Sequence, residues 1–96
     1  MLELEWDEVK RRANLRKHGL DFADAARLDW DQAAVVADDR FPYPEPRFWA
    51  FVFGQGRLYF VAFCRRGPKL RMISFRKANK KEVRRYGQAT GQTGSS

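Results

Sequence analysis

Residues 70–87, LRMISFRKANKKEVRRYG, hold seven Lys and Arg around a single acid, Glu82. The stretch changes period in the middle. Lys69–Lys77 mixes apolar and cationic residues as a strand does. Asn79 is then a good helix N-cap, and Glu82 falls at the third helical position, the capping-box spacing. The segment is therefore a strand running into a short basic helix. On strict alternation, Leu70, Met72, Ser74 and Arg76 share one face, and Arg71, Ile73, Phe75 and Lys77 the other. Ile73 and Phe75 make the better core pair, packed on a helical layer. Ser74 and Arg76 then lie on the less covered face, beside the basic helix.

Upstream, Phe48–Gly54 and Leu58–Arg65 are aromatic and β-branched and are joined by Gln55-Gly56, a hairpin turn. A second turn at Arg66-Gly67-Pro68 leads into the last strand. Residues 41–46, FPYPEP, are too rich in proline for a central strand. Ala34–Asp38 is a further short strand. Leu2–Trp6 alternates apolar and acidic, which suits an edge strand. Asp7 caps a helix over 8–18 that buries Val9 and Ala13 and stops at Arg16-Lys17-His18-Gly19. Asp21, with Asp24 three residues on, caps a second helix whose apolar face is Phe22, Ala25, Ala26 and Trp30. The order β-α-α-β-β-β-β-α defines an α+β domain with a mostly antiparallel sheet. One domain over 1–87 is expected, with a flexible tail over 88–96 that has no apolar anchor.

The 96 residues carry +7 overall, unevenly spread. Residues 1–46 hold seven Lys/Arg against eleven Asp/Glu, a balance of −4, while residues 47–96 hold twelve against Glu82 alone, +11. A polyanion, an acidic protein, or both fit such a surface; a merely solvated cationic face is the plainer alternative. One cysteine, Cys64, allows no internal disulfide, and a cytoplasmic setting is the simplest. The first residues lack the pattern of a signal peptide, and the apolar runs are strand-length rather than membrane-spanning. Asp29, Asp31, Asp38 and Asp39 match no metal-ligand spacing. There is no glycine-rich phosphate loop and no nucleophile elbow. No cofactor is expected. Cys64 sits mid-strand among apolar neighbours, as an inert thiol does.

Arg76 offers a planar fork for a phosphate; alternatively it covers the sheet edge or pairs with Glu82. His18 is the only histidine, so a two-histidine acid–base mechanism within one chain is excluded. At a helix C-terminus it is either a charge–dipole residue or, with Lys17, a proton donor beside a cation. Tyr86 is either a core residue or a hydroxyl facing a site.

Two separated signatures coincide with a known family. EWD at 5–7 with NLRKHGLDF at 14–22 resembles the opening of the BrnT toxins of type II toxin–antitoxin systems. RMISFRKANKKEVRRY at 71–86 resembles their closing motif, through Arg71, Ile73, Ser74, Arg76, Ala78, Glu82 and Tyr86. EPRFW at 45–49 is similar to their central element. The likeness covers roughly residues 3–87. Two departures stand out: Cys64 where the pattern often has Thr, next to Arg65 in place of an acid, and the proline-rich loop 41–46. The resemblance implies a RelE-like fold, ribonuclease activity that blocks translation, and neutralisation by a BrnA-type antitoxin. It implies a catalytic set of Lys17, His18, Ser74, Arg76 and Tyr86, with Arg47 and Arg71 as additional RNA contacts. The basic segment adds Lys77, Lys80, Lys81, Arg84 and Arg85 as RNA-binding residues. Operator DNA would be met only through the antitoxin, because the chain shows no helix-turn-helix or ribbon pattern. The competing class is a non-catalytic RNA- or DNA-binding module, with bases stacking on Phe48, Trp49, Tyr59 or Phe60. A pure interaction protein would need only the charge asymmetry.

Overall fold

In the computed structural model, which describes residues 2–87, five strands form one sheet in the order β1-β5-β4-β3-β2. The strands are β1 (Glu3–Glu5), β2 (Ala34–Asp38), β3 (Arg47–Gly54), β4 (Arg57–Arg66) and β5 (Lys69–Lys77). Two α-helices accompany them, α1 (Glu8–His18) and α2 (Lys80–Tyr86). β1 runs parallel to β5, and every other pairing is antiparallel. The α+β class and the mostly antiparallel sheet are as the sequence indicates. The tail over 88–96 lies outside the described residues. Among those residues no helix is long and apolar enough to cross a membrane.

The β3–β4 hairpin turns through Gln55 and Gly56, both at positive φ (53° and 76°). That left-handed pair matches the twist of the flanking strands. The main core lies on the sheet face that carries residues 20–30. There Phe22, Ala25, Ala50, Val52, Val61, Met72 and Phe75 are almost completely enclosed. The opposite face carries a smaller cluster of Phe51, Leu58 and Phe60, roofed by Tyr86 of α2.

Three expectations need correction. The second helix is instead a pair of 3-10 turns, Phe22–Arg27 and Trp30–Gln32. Asp21 caps the first as expected, accepting from the Ala23 N–H at 3.0 Å. The chain then leaves the helical path at Leu28, because the Asp29 N–H bonds the Phe53 carbonyl at 2.8 Å. Leu28 also packs onto Gly54 so closely that a Cβ there would collide with its Cδ2. Sheet contact thus overrides the local helical pattern, and Ala26 is exposed.

Nor does α1 bury Val9 and Ala13. Val9 is 71% exposed and Ala13 is also exposed; the buried residue is Asn14. The reason is the position of the helix. β1 covers β5 only from Lys69 to Arg71, so the outer edge of β5 beyond that point lacks a strand. The Asn14 amide replaces one. Its Nδ2 donates to the Phe75 carbonyl at 2.9 Å and to the Leu20 carbonyl at 3.0 Å, and its Oδ1 accepts from the Phe75 N–H at 3.0 Å. A bare edge needs a donor and an acceptor more than it needs a methyl group.

Finally, β5 does not alternate throughout. Its register against β4 shifts between Ala62 and Phe63: Ala62 faces Ser74, yet Phe63 faces Met72. Ile73 is the extra residue of a bulge. Leu70 and Met72 therefore join Phe75 in the main core, and Ile73 is only half-buried.

Candidate active site

The bulge decides which side chains meet. Phe60, Ala62 and Cys64 alternate along β4 and so share a face. Their partners are Arg76, Ser74 and Arg71 on β5, and Phe51, Trp49 and Arg47 on β3. Paired residues share a face, so three parallel rows line the α2 side: Phe51–Phe60–Arg76, Trp49–Ala62–Ser74 and Arg47–Cys64–Arg71. Simple alternation separates Arg71 from Ser74 and Arg76; the bulge returns it to their side.

α2 is set on the first row by its own cap. The Glu82 N–H donates to Asn79 Oδ1 at 2.8 Å, and the Asn79 N–H donates to Glu82 Oε1 at 2.9 Å. The same Glu82 carboxylate holds Arg76: Nη1 donates to Oε1 at 2.8 Å and Nη2 to Oε2 at 2.9 Å. The second Nη1 proton goes to the Lys77 carbonyl at 3.2 Å. The guanidinium lies over the Phe60 ring, 4.1 Å from its centroid. This bidentate pair keeps the Glu82 carboxyl below its ordinary range, with Arg76 the main cause. Of the expected alternatives for Arg76, the pairing with Glu82 is the one seen. Its Nε–H and the remaining Nη2–H, which form the other side of the fork, have no partner among the described residues.

Arg76 lines a cleft of about 400 Å³. Trp49, Phe51, Phe60 and Tyr86 supply the aromatic lining; Arg40, Arg76, Lys81 and Arg85 supply the charge, against Glu82 alone. Tyr86 stacks flat on Phe51, with centroids 3.9 Å apart and planes within 3°. Its ring therefore serves the minor core and lines the cleft at once. Phe48 and Tyr59, named as stacking candidates for a binding module, fall on the other face and pack against the main core.

The remaining sequence-predicted residues spread around this cleft. Ser74 is half-buried one row away, and Arg47 and Arg71 lie two rows away. His18 is half-buried at the end of α1, one turn beyond Asn14, and Lys17 beside it is exposed. Burial pushes the His18 imidazole below its ordinary value of 6.5, helped by the charges of Lys17 and Arg76. The field of Arg76 thus reaches His18, although neither His18 nor Lys17 lines the cleft. Lys77, Lys80 and Arg84 are exposed and stand outside its lining.

Arg40 is the residue that sequence reasoning missed. It reaches in from the β2–β3 loop, paired with Asp38 at 2.9 Å and lying 4.7 Å from the Trp49 ring. Nothing local marks it, because its place depends on the pairing of β2 with β3. Asp38 is consumed by Arg40 and Tyr43. Among the described residues no three His, Cys, Asp or Glu gather as metal ligands would. Cys64 is buried, and its thiol donates to Glu45 Oε1 at 3.5 Å. Burial, with that carboxylate beside it, raises the thiol further from ionisation.

The small α+β protein thus carries an aromatic cleft lined by four cations against one carboxylate, a setting whose charge and planar guanidinium suit an anionic ligand. The sequence profile for the ribonuclease toxin BrnT of type II toxin–antitoxin systems matches residues 6–82. The chain belongs to that family. A toxin of this type has an RNA substrate and a cognate antitoxin. No curated protein sequence is significantly similar to the chain.

Proposed function

We propose that the protein is a metal-independent endoribonuclease that cuts RNA through its own 2′-hydroxyl, inhibits translation in the cytoplasm by doing so, and is silenced by a BrnA-type antitoxin. In this reaction the 2′-oxygen attacks the adjacent phosphorus, a 2′-O–P bond forms and the P–O5′ bond breaks. A base accepts the 2′-hydroxyl proton, and an acid delivers a proton to the leaving 5′-oxygen. The products are a 2′,3′-cyclic phosphate and a 5′-hydroxyl. The dominant requirement is a preorganised cation at the phosphorane oxygens.

One observation carries this reading: Arg76 is fixed by Glu82 and Phe60, keeps one guanidinium edge without a partner among the described residues, and lines the cationic cleft. In the proposal Arg76 stabilises the transition state, and Lys17 adds charge from α1. His18, whose imidazole burial holds below its ordinary value, exchanges the proton. Ser74 and Tyr86 orient the substrate or share in proton transfer. Arg47, Arg71, Lys77, Lys80, Lys81, Arg84 and Arg85 bind the RNA backbone. The antitoxin covers the same cationic face, and any operator DNA is met through it. Incubating purified protein with bulk RNA in EDTA tests the chemistry. Fragments ending in 2′,3′-cyclic phosphate are expected. Cleavage that vanishes in EDTA and returns with magnesium contradicts it.

A further inference from the structure

The third row of the α2-side face, Arg47–Cys64–Arg71, borders a separate hollow of about 280 Å³ rimmed also by Lys10, Glu45 and Arg66. We propose that this hollow is a second phosphate subsite, which holds a single-stranded RNA chain that passes through the Arg76 cleft. The inference rests on the ribonuclease reading of that cleft and adds where the rest of the substrate runs.

Three observations support it. First, the bulge at Ile73 puts Arg71 on the same side of the sheet as Arg76, so one strand can meet both. Second, the arginines keep free capacity. Arg47 has no ion-pair partner among the described residues; its guanidinium lies 4.2 Å from the Tyr43 ring centroid. Arg71 gives Nη1 to Glu5 at 3.1 Å, and its remaining edge is unpaired among those residues. Glu45, the carboxylate in the lining, takes Arg66 at 2.9 Å and the Cys64 thiol. Four cations, two of them in ion pairs, thus line the hollow beside one committed carboxylate.

Third, the row between those of Arg76 and Arg71 pairs Ala62 with Ser74, two short side chains, with Trp49 beside Ala62. From Phe60 to Cys64 the strand advances four residues, about 13 Å at about 3.3 Å per residue. That span is about four steps of a strand stacked at about 3.4 Å per nucleotide, and fewer for a stretched one. The recognised ligand is thus a run of phosphates on one flexible strand, read by charge rather than by base identity.

The test uses RNA oligonucleotides of two to eight residues, and 2′-O-methyl versions that lack the attacking hydroxyl. With wild-type protein, affinity for the 2′-O-methyl series should rise at least tenfold across the length at which the chain reaches the hollow. In Arg47→Ala, and separately in Arg71→Gln, that gain should shrink about tenfold. Log–log salt plots should flatten by about 0.7 for one lost phosphate contact. The cleavage series should show the same length dependence in kcat/KM, carried by KM. Affinity that does not depend on length, or variants that keep the full gain, overturns the subsite. Variants that lose antitoxin affinity while the length gain survives assign the hollow to the protein partner instead. Because the 2′-O-methyl series reads binding without chemistry, a wild-type protein that cleaves nothing would contradict the ribonuclease reading and still decide the subsite.

Discussion

Replacing Asn14 by Ala strikes the contact that docks α1 on the sheet. The substitution removes three hydrogen bonds and leaves the Phe75 N–H and C=O and the Leu20 C=O without partners. Leu20 is half-exposed, so water can replace its bond. The two Phe75 groups are buried, and each orphaned group costs about 1–3 kcal/mol. Ala is the better helix former by about 0.5 kcal/mol, which offsets a little. Partial entry of water beside the shortened side chain lowers the sum, so the net loss should be about 2–4 kcal/mol. A domain this size has about 5–15 kcal/mol in all. Urea unfolding followed by tryptophan fluorescence reads the change directly. Val9→Ala, on the exposed side of the same helix, should stay within about 0.5 kcal/mol. Asn14→Asp should cost more than Ala, because it turns a carboxylate toward the Phe75 carbonyl. A loss below about 1 kcal/mol for Asn14→Ala, or an equal loss for Val9→Ala, would refute the edge-pairing account. His18 lies one turn further along α1, so RNA cleavage should weaken even where Asn14→Ala remains folded.

Glu82→Gln keeps an oxygen for the cap but breaks the paired grip on Arg76. A charge-assisted contact of this kind is worth about 1.5–3 kcal/mol, so kcat/KM should fall about ten- to a hundredfold. The acid limb of the pH profile should survive; its disappearance would make Glu82 the proton acceptor rather than the residue that positions Arg76. His18 titrates below 6.5 in the folded chain, so the folded state holds fewer protons than the unfolded one across that window. Stability should therefore rise with pH from the depressed folded value up to about 6.5 and be flat above it. A His18→Ala variant should lose that slope together with the acid limb of kcat/KM, and a wild-type limb centred above 6.5 would argue against His18. Changing Lys80, Lys81, Arg84 and Arg85 to Glu should slow association with the antitoxin at least tenfold at low salt. An unchanged association rate would place the antitoxin elsewhere.

Signals that act within a few residues were legible in the chain. The caps Asp7, Asp21 and Asn79, the Gln55-Gly56 turn and the Asn79–Glu82 box all occupy the places their chemistry predicts. What was not legible depends on partners far along the chain. The segment after Asp21 has helical spacing, yet the Phe53 carbonyl and the close fit of Leu28 on Gly54 end it early. Asn14 looks like a surface helix residue until the uncovered edge of β5 is in place. The bulge at Ile73 has no local mark, because Ile suits a regular strand as well as a bulged one, and it alone moves Arg71 across the sheet. Of the site, Arg76 and its possible pairing with Glu82 could be read from sequence. Arg40 could not, because it enters through the β2–β3 pairing.

The central claim is that Arg76 stabilises the transition state of RNA cleavage, and its most direct measurement is kcat/KM of the purified protein on RNA in EDTA, with Arg76→Ala and Arg76→Lys alongside. A preorganised donor at a developing oxyanion is worth about 2.7–4 kcal/mol, so Arg76→Ala should cleave about 10²–10³-fold more slowly while its circular dichroism stays native. Arg76→Lys should recover little, because an ammonium cannot hold the Glu82 carboxylate and fork a phosphate together. A folded Arg76→Ala protein that cleaves RNA at close to the wild-type rate would contradict the account.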